Sequence, residues 1–276
     1  MKGEGLIVYE AKTVISLLAI ISIIGVFVII SSCSSQGSSV IPEKEINTGI
    51  EAAMQNRVYA SSVYVSNGSV YVAGSYSACM CESGCNDAAT IWKDGVRTDL
   101  PGAEEASSIY VSGDSVYVAG SYNSYQKEYN HIATVWKNGV KTDLPGDYAW
   151  ADSIYVSKGD VYVAGSYNSH KKDSKSVAAV WKNGVKTDLS GDNAYAHSVY
   201  VSGNSVYVAG SYQKDSKSIA AVWKNGVKAD LSGDNAEARS VYVSKGSVYV
   251  VYHHDDYKNP AVVWKDGVKT NLPLPW

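Results

Sequence analysis

The chain has 276 residues, is 45% hydrophobic and 18% charged, and carries a formal net charge of −3. That length admits one large domain or two small ones, and the balance is ordinary for a globular chain. No Lys/Arg cluster stands out, which excludes a nucleic-acid partner, since such a partner needs a concentrated positive stripe. The aromatic usage is unusual, with 22 Tyr and 7 Trp against a single Phe. Tyr and Trp join an apolar body to a polar tip, so they suit half-buried strands and exposed binding faces alike.

The first element is an apolar run, "TVISLLAIISIIGVFVII" (13–30), followed by "SSCSSQGSS". An apolar stretch followed by small residues fits export. The tetrad "ISSC" (30–33) resembles the lipobox of bacterial lipoproteins. That resemblance implies a lipid on Cys33, a lipoprotein signal segment over 1–33, and the membrane as a partner through the lipid anchor. Residues 34–50 are Ser-rich and then polar, and read as a flexible tether. The alternative is an uncleaved anchor, because an apolar run of this length nearly spans a bilayer. Either way the bulk of the chain is expected outside the cytoplasm, in a bacterial cell envelope.

Residues 51–276 carry a fivefold repeat, with copies at about 60–106, 107–151, 152–196, 197–238 and 239–276. Trp recurs at 92, 136, 181, 223 and 264, at spacings of 44, 45, 42 and 41. A period of that size points to a repeat architecture. Within one copy, "SIYVS" and "DVYVAGSY" alternate and are rich in β-branched and aromatic residues, the pattern of strands. A two-residue turn such as "KG" or "NG" joins them. "AAVWK" and "VKTDL" form a second hairpin around Asn183-Gly184, a pair suited to the type I′ turn that matches strand twist. Four short antiparallel strands in each copy make the blade of a β-propeller. The expected fold is therefore all-β, with five four-stranded blades. Blade one is expected to touch blade five, an open array being the alternative, and the Trp of each third strand is expected to wedge between blades. The "YVAG…WKNG" units resemble the repeats of uncharacterised bacterial surface lipoproteins, which implies a propeller and a surface location and no particular chemistry.

The copies differ around a fixed Ala at the entry to each first strand. The residue before it is Tyr59, Glu105, Trp150, Tyr195 or Glu237, and the residue after it is Ser61, Ser107, Asp152, His197 or Arg239. The two positions share parity, so in a strand they point to the same side. The loop that enters a first strand opens near the axis, so these ten side chains are expected to ring one mouth of the channel. There they would form a ligand-binding platform, with aromatics to stack and acids and hydroxyls to hydrogen-bond. Drift at exposed positions is the plain alternative.

The loop between second and third strands also varies, and its first copy holds Cys79, Cys81 and Cys85. In an oxidising compartment, three thiols imply one disulfide and one free sulfur, or a metal site that "HHDD" (253–256) could complete if blade five adjoins blade one. The C-x-C-x₃-C spacing suits no common zinc site, so neither a metal nor a cofactor is expected. Catalytic motifs are scarce: no G-x-S-x-G, H-E-x-x-H or glycine-rich phosphate loop occurs. Asp152, His197 and Arg239 could be drawn as acid, base and cation, but nothing in the sequence holds them within reach of one another. The expectation is a surface-anchored, non-catalytic binding or interaction protein for a glycan, peptide or protein ligand. One alternative is a hydrolase using acids at the channel mouth, and another is a structural spacer without a ligand.

Overall fold

A computed structural model describes residues 57–80, 84–124, 130–168, 175–231, 235–254 and 259–273. The signal segment, Cys33, the tether and Cys81 lie outside the described residues, as do the side chains of Cys79 and Cys85. Every regular element among the described residues is a strand, and the strands form five separate four-stranded antiparallel sheets. The fold is a β-propeller.

Blade one is β1 (Arg57–Ser66), β2 (Ser69–Met80), β3 (Gly84–Lys93) and β4 (Val96–Asp99). Blade two is β5 (Glu105–Ser112), β6 (Ser115–Ser124), β7 (Asn130–Lys137) and β8 (Val140–Asp143). Blade three is β9 (Ala149–Ser157), β10 (Asp160–Asn168), β11 (Ser176–Lys182) and β12 (Val185–Asp188). Blade four is β13 (Asp192–Ser202), β14 (Ser205–Lys214), β15 (Lys217–Lys224) and β16 (Val227–Asp230). Blade five is β17 (Ala236–Ser244), β18 (Ser247–His254), β19 (Val262–Lys265) and β20 (Val268–Asn271).

Local chemistry sets the turns. At the outer hairpin Asn183 and Gly184 have φ of 51° and 82°, the two positive values that a type I′ turn requires. The side chain does more than tolerate the turn. Asn183 Oδ1 accepts the backbone N–H of Val161 at 2.8 Å, tying the outer hairpin to the second strand. Asp94, Asn138, Asn225 and Asp266 repeat that bond at 2.8 Å to Val70, Val116, Val206 and Val248. The same N–H holds the carboxyls of Asp94 and Asp266 below their ordinary pKa. This explains why the position admits only Asn and Asp in the five copies.

Each first strand carries a bulge immediately after the fixed Ala. The register passes from Ala151 to Ser153 opposite Gly165 and Ala164, which leaves Asp152 as the extra residue. Ser61, Ser107, His197 and Arg239 are skipped in the same way. A bulge bends its strand and re-aims the side chain it carries. The opposing glycine permits it, since a Cβ on Gly165 would lie 2.0 Å from the carbonyl oxygen of Trp150. Blade five departs here and pairs Tyr252 with Ala238.

Successive blades join through three repeated contacts. Ser62, Ser108, Ser153 and Ser198 each accept, through Oγ, the N–H of Ile109, Ile154, Val199 and Val241 of the next blade, all at 3.2 Å. Tyr64, Tyr110, Tyr155, Tyr200 and Tyr242 form a ladder with ring centroids 4.6–4.9 Å apart. Trp136, Trp181 and Trp223 are fully buried, and each donates its indole N–H to a loop carbonyl of the preceding blade, that of Pro101, Pro145 or Ser190. The wedge role expected of these tryptophans is thereby accounted for in the three inner blades.

The expected contact of blade one with blade five is corrected. Among the described residues the apolar core divides into four clusters, one for each join from blade one to blade five, with none between five and one. Val63 and Val65 are each 64% exposed, whereas their counterparts Ile109 and Val111 are 3% and 5% exposed. Ring closure depends on the rotation accumulated over four joins, and no local pattern in the repeat encodes that sum.

Candidate functional site

The variable residues Tyr59, Ser61 and Glu105 come together where blades one and two join. There a cleft of about 380 Å³ is lined by Tyr59, Ser61, Glu104, Glu105, Asn123 and His131, among others. Tyr59 and Ser61 stand on either side of Ala60 in β1, so the variable pair of blade one does face a common space despite the bulge. Glu105 opens β5 and belongs to the same wall.

Glu105 is the electrostatic centre of this wall. Its carboxyl is raised above the ordinary glutamate range, first by desolvation, then by the negative charge of Asp152, with His131 partly opposing the rise. The side chain nonetheless keeps exposed surface. Both hold because a cleft admits water from one side while its walls crowd the other. Glu104 turns aside and accepts a hydrogen bond from Asn123 Nδ2 at 2.6 Å.

Asp152 and His197 meet across the join of blades three and four, with Oδ2 3.5 Å from Nδ1. His197 Nε2 is buried and has no hydrogen-bond partner among the described residues, and the same holds for His131 Nδ1. Tyr195 lies parallel to the His197 ring at a centroid distance of 6.4 Å. His131 stacks on Trp150 of blade three at 5.0 Å. Glu237 and Arg239 pair with each other within β17. Of the drawn set of three, therefore, Asp152 and His197 come together, while Arg239 is held by its own strand. Ser107 sits half-buried in β5 and does not line the cleft.

His131 and Asp87 also line the cleft, although reasoning from the first strands omits them. They lie in the first halves of the third strands, where the register opposes Asp87 to Ser77 of β2 and His131 to Asn123 of β6. That cross-strand pairing is the signal that places them. Among the described residues no group of three His, Cys, Asp or Glu side chains is arranged to hold a metal ion.

No known protein family matches the chain, and no curated protein does. Several solved structures are similar to it. One is a puromycin-hydrolyzing peptidase from Mycobacterium tuberculosis, at 11% identity and a TM-score of 0.50, covering 79% of this chain and 38% of that one. Another is a GH43 β-xylosidase/α-arabinofuranosidase from a compost microbial metagenome, at 12% identity and 0.39, covering 79% and 89%. A third is the β-propeller domain of a trilobed protease from Pyrococcus furiosus, at 10% identity and 0.40, covering 79% and 84%. At these identities the likeness is one of fold. The expectation of a non-catalytic binding protein, and with it the exclusion of enzymes, is corrected here. A fold of this kind is found within a hydrolase, the puromycin-hydrolyzing peptidase, so the fold leaves catalysis open, and Glu105 and Asp152 lie close enough to influence one another, which a search for linear motifs passes over.

Proposed function

We propose that the propeller is a hydrolase acting on glycosidic bonds, with Glu105 as proton donor and Asp152 as base. The observation that carries the proposal is the coupling of two carboxyls on neighbouring blades, one of them raised by burial and by the other's charge. Two titratable groups whose environments push them apart are the usual basis of acid–base division of labour. Glycoside hydrolysis needs such a pair: one carboxylic acid protonates the leaving oxygen, and one carboxylate serves the opposite face. In this reading the Glu105 proton passes to the leaving oxygen as the glycosidic C–O bond breaks. Water adds to the anomeric carbon and its proton passes to Asp152, which His197 holds in place. Tyr59, Trp150 and Tyr195 supply aromatic faces for sugar rings. Tyr59 is 52% exposed and accessible to such a ligand.

The location belongs to the same proposal. The apolar run at 13–30 and the "ISSC" tetrad support a lipoprotein anchored through Cys33 in the cell envelope, where the substrate would be an extracellular glycan. The test is a panel of nitrophenyl glycosides and short oligosaccharides offered to the full chain in detergent. Turnover that disappears in both Glu105→Gln and Asp152→Asn supports the proposal. Absence of turnover across the panel, or turnover unchanged in both variants, overturns it.

A further inference from the structure

The two ends of the blade array carry the two halves of an interface that the molecule already builds four times. At each internal join, a serine Oγ of one blade accepts an N–H of the next, at 3.2 Å. The corresponding acceptor of blade five is Ser240, and the corresponding donor of blade one is the N–H of Val63. Neither has such a partner across a join among the described residues. Tyr242, the end rung of the tyrosine ladder, is 55% exposed. Leu272 donates its N–H to the Ala261 carbonyl, as Leu100, Leu144, Leu189 and Leu231 donate theirs to the carbonyls of Ala89, Ala133, Ala178 and Ala220. Those four leucines are 2–5% exposed beneath the following blade, whereas Leu272 is 42% exposed. On the other end Val63 and Val65 stand at 64% each and Val70 at 42%.

We propose that a second copy of this chain covers these faces, with blade one of one copy packing head to tail on blade five of another. The occupant follows from continuity with the internal joins. Val63 and Val65 replace Ile109 and Val111, and Ser240 and Tyr242 replace Ser198 and Tyr200, so the fifth join repeats known chemistry. Unlike faces meeting in this way make a heterologous contact, which continues copy by copy until a ring closes. The inference does not depend on the proposed activity.

Sedimentation velocity of the full chain in detergent, over a range of concentrations, tests it. The wild type should pass from monomer to dimer and larger species. Val63→Lys with Val65→Lys blocks one face, and Tyr242→Lys with Leu272→Lys blocks the other, so each double variant alone should remain monomeric. An equimolar mixture of the two should form a dimer and nothing larger, because one free face remains on each partner; this also shows that both variants are folded. A wild type that stays monomeric at every concentration overturns the proposal and assigns the faces to the chain's own ends. Variants as large as the wild type also overturn it, since association would then run through the apolar segment at 13–30.

Discussion

Asp152 Oδ2 stands 3.5 Å from His197 Nδ1, although the two residues lie in different blades. Both are bulge residues, each the extra one after a fixed alanine. The bulge therefore acts as the site-building device of this propeller. It costs a ladder position in every blade, and at the join of blades three and four it brings two variable side chains together. The glycine opposite the bulge supplies the room.

Glu105 links the stability of the fold, and the activity proposed for it, to pH. The folded-state pKa is raised, so the folded protein holds this proton more tightly than the unfolded chain does. The stabilisation is complete below the unfolded glutamate pKa and is lost as pH rises through the folded value. Glu105→Gln should thus be at least as stable as the wild type at neutral pH, by thermal melting, and should lose that advantage in acid. Activity that needs the protonated acid should fall on the alkaline side, with a limb lying above the ordinary glutamate range.

Trp181 is fully buried and its indole N–H donates to the carbonyl of Pro145 at 2.9 Å. Trp181→Ala should cost about 3–5 kcal/mol in denaturant unfolding, as other large buried aromatics do. Trp92 occupies the same position in blade one, on which no preceding blade packs among the described residues, and is only partly buried. Trp92→Ala should cost clearly less.

How far the fold could be read from sequence depended on how local each signal is. Asn183-Gly184 and the alternation of "VYVAGSY" act over a few residues, so strands, turns and blade number were legible. Whether Val63 meets Ser240 was not, because their separation depends on the summed rotation of four joins. The variable positions around the alanine were legible as differences between copies. Their equal parity held only for an unbroken strand, and the bulge replaced that logic with a turn toward the next blade. His131 was missed because it reaches the mouth from a third strand, through its register opposite Asn123.

Gly165→Ala should be destabilising by about 1–3 kcal/mol, the usual cost of overpacking a tight site. The added Cβ meets the Trp150 carbonyl, and the displaced segment includes Asp152. Melting temperature and activity should therefore fall together. Gly159→Ala in the exposed turn meets no atom within 4 Å, so any loss there comes from its positive φ alone and should leave activity intact in the folded fraction.

The register of β2 and β3 places Cys79 directly opposite Cys85. Directly opposed residues of an antiparallel pair have Cα atoms about 4.5–5.5 Å apart, within the range that a disulfide spans. Thiol counting on the denatured chain purified from an oxidising compartment should leave Cys81 reactive, with Cys79 and Cys85 appearing only after reduction. Peptide mapping that pairs Cys81 instead would contradict this assignment.

The central claim is that Glu105 gives a proton to a leaving oxygen. A leaving group that needs no proton should escape that requirement. The direct measurement is kcat/KM of wild type and Glu105→Gln on two glycosides of the same sugar, one with a dinitrophenyl leaving group and one with an alkyl alcohol or second sugar. The account predicts a loss of about 10²–10⁴-fold on the second substrate, the usual contribution of a general acid, and near-wild-type turnover on the first. Equal losses on both substrates, or no loss on either, would contradict it.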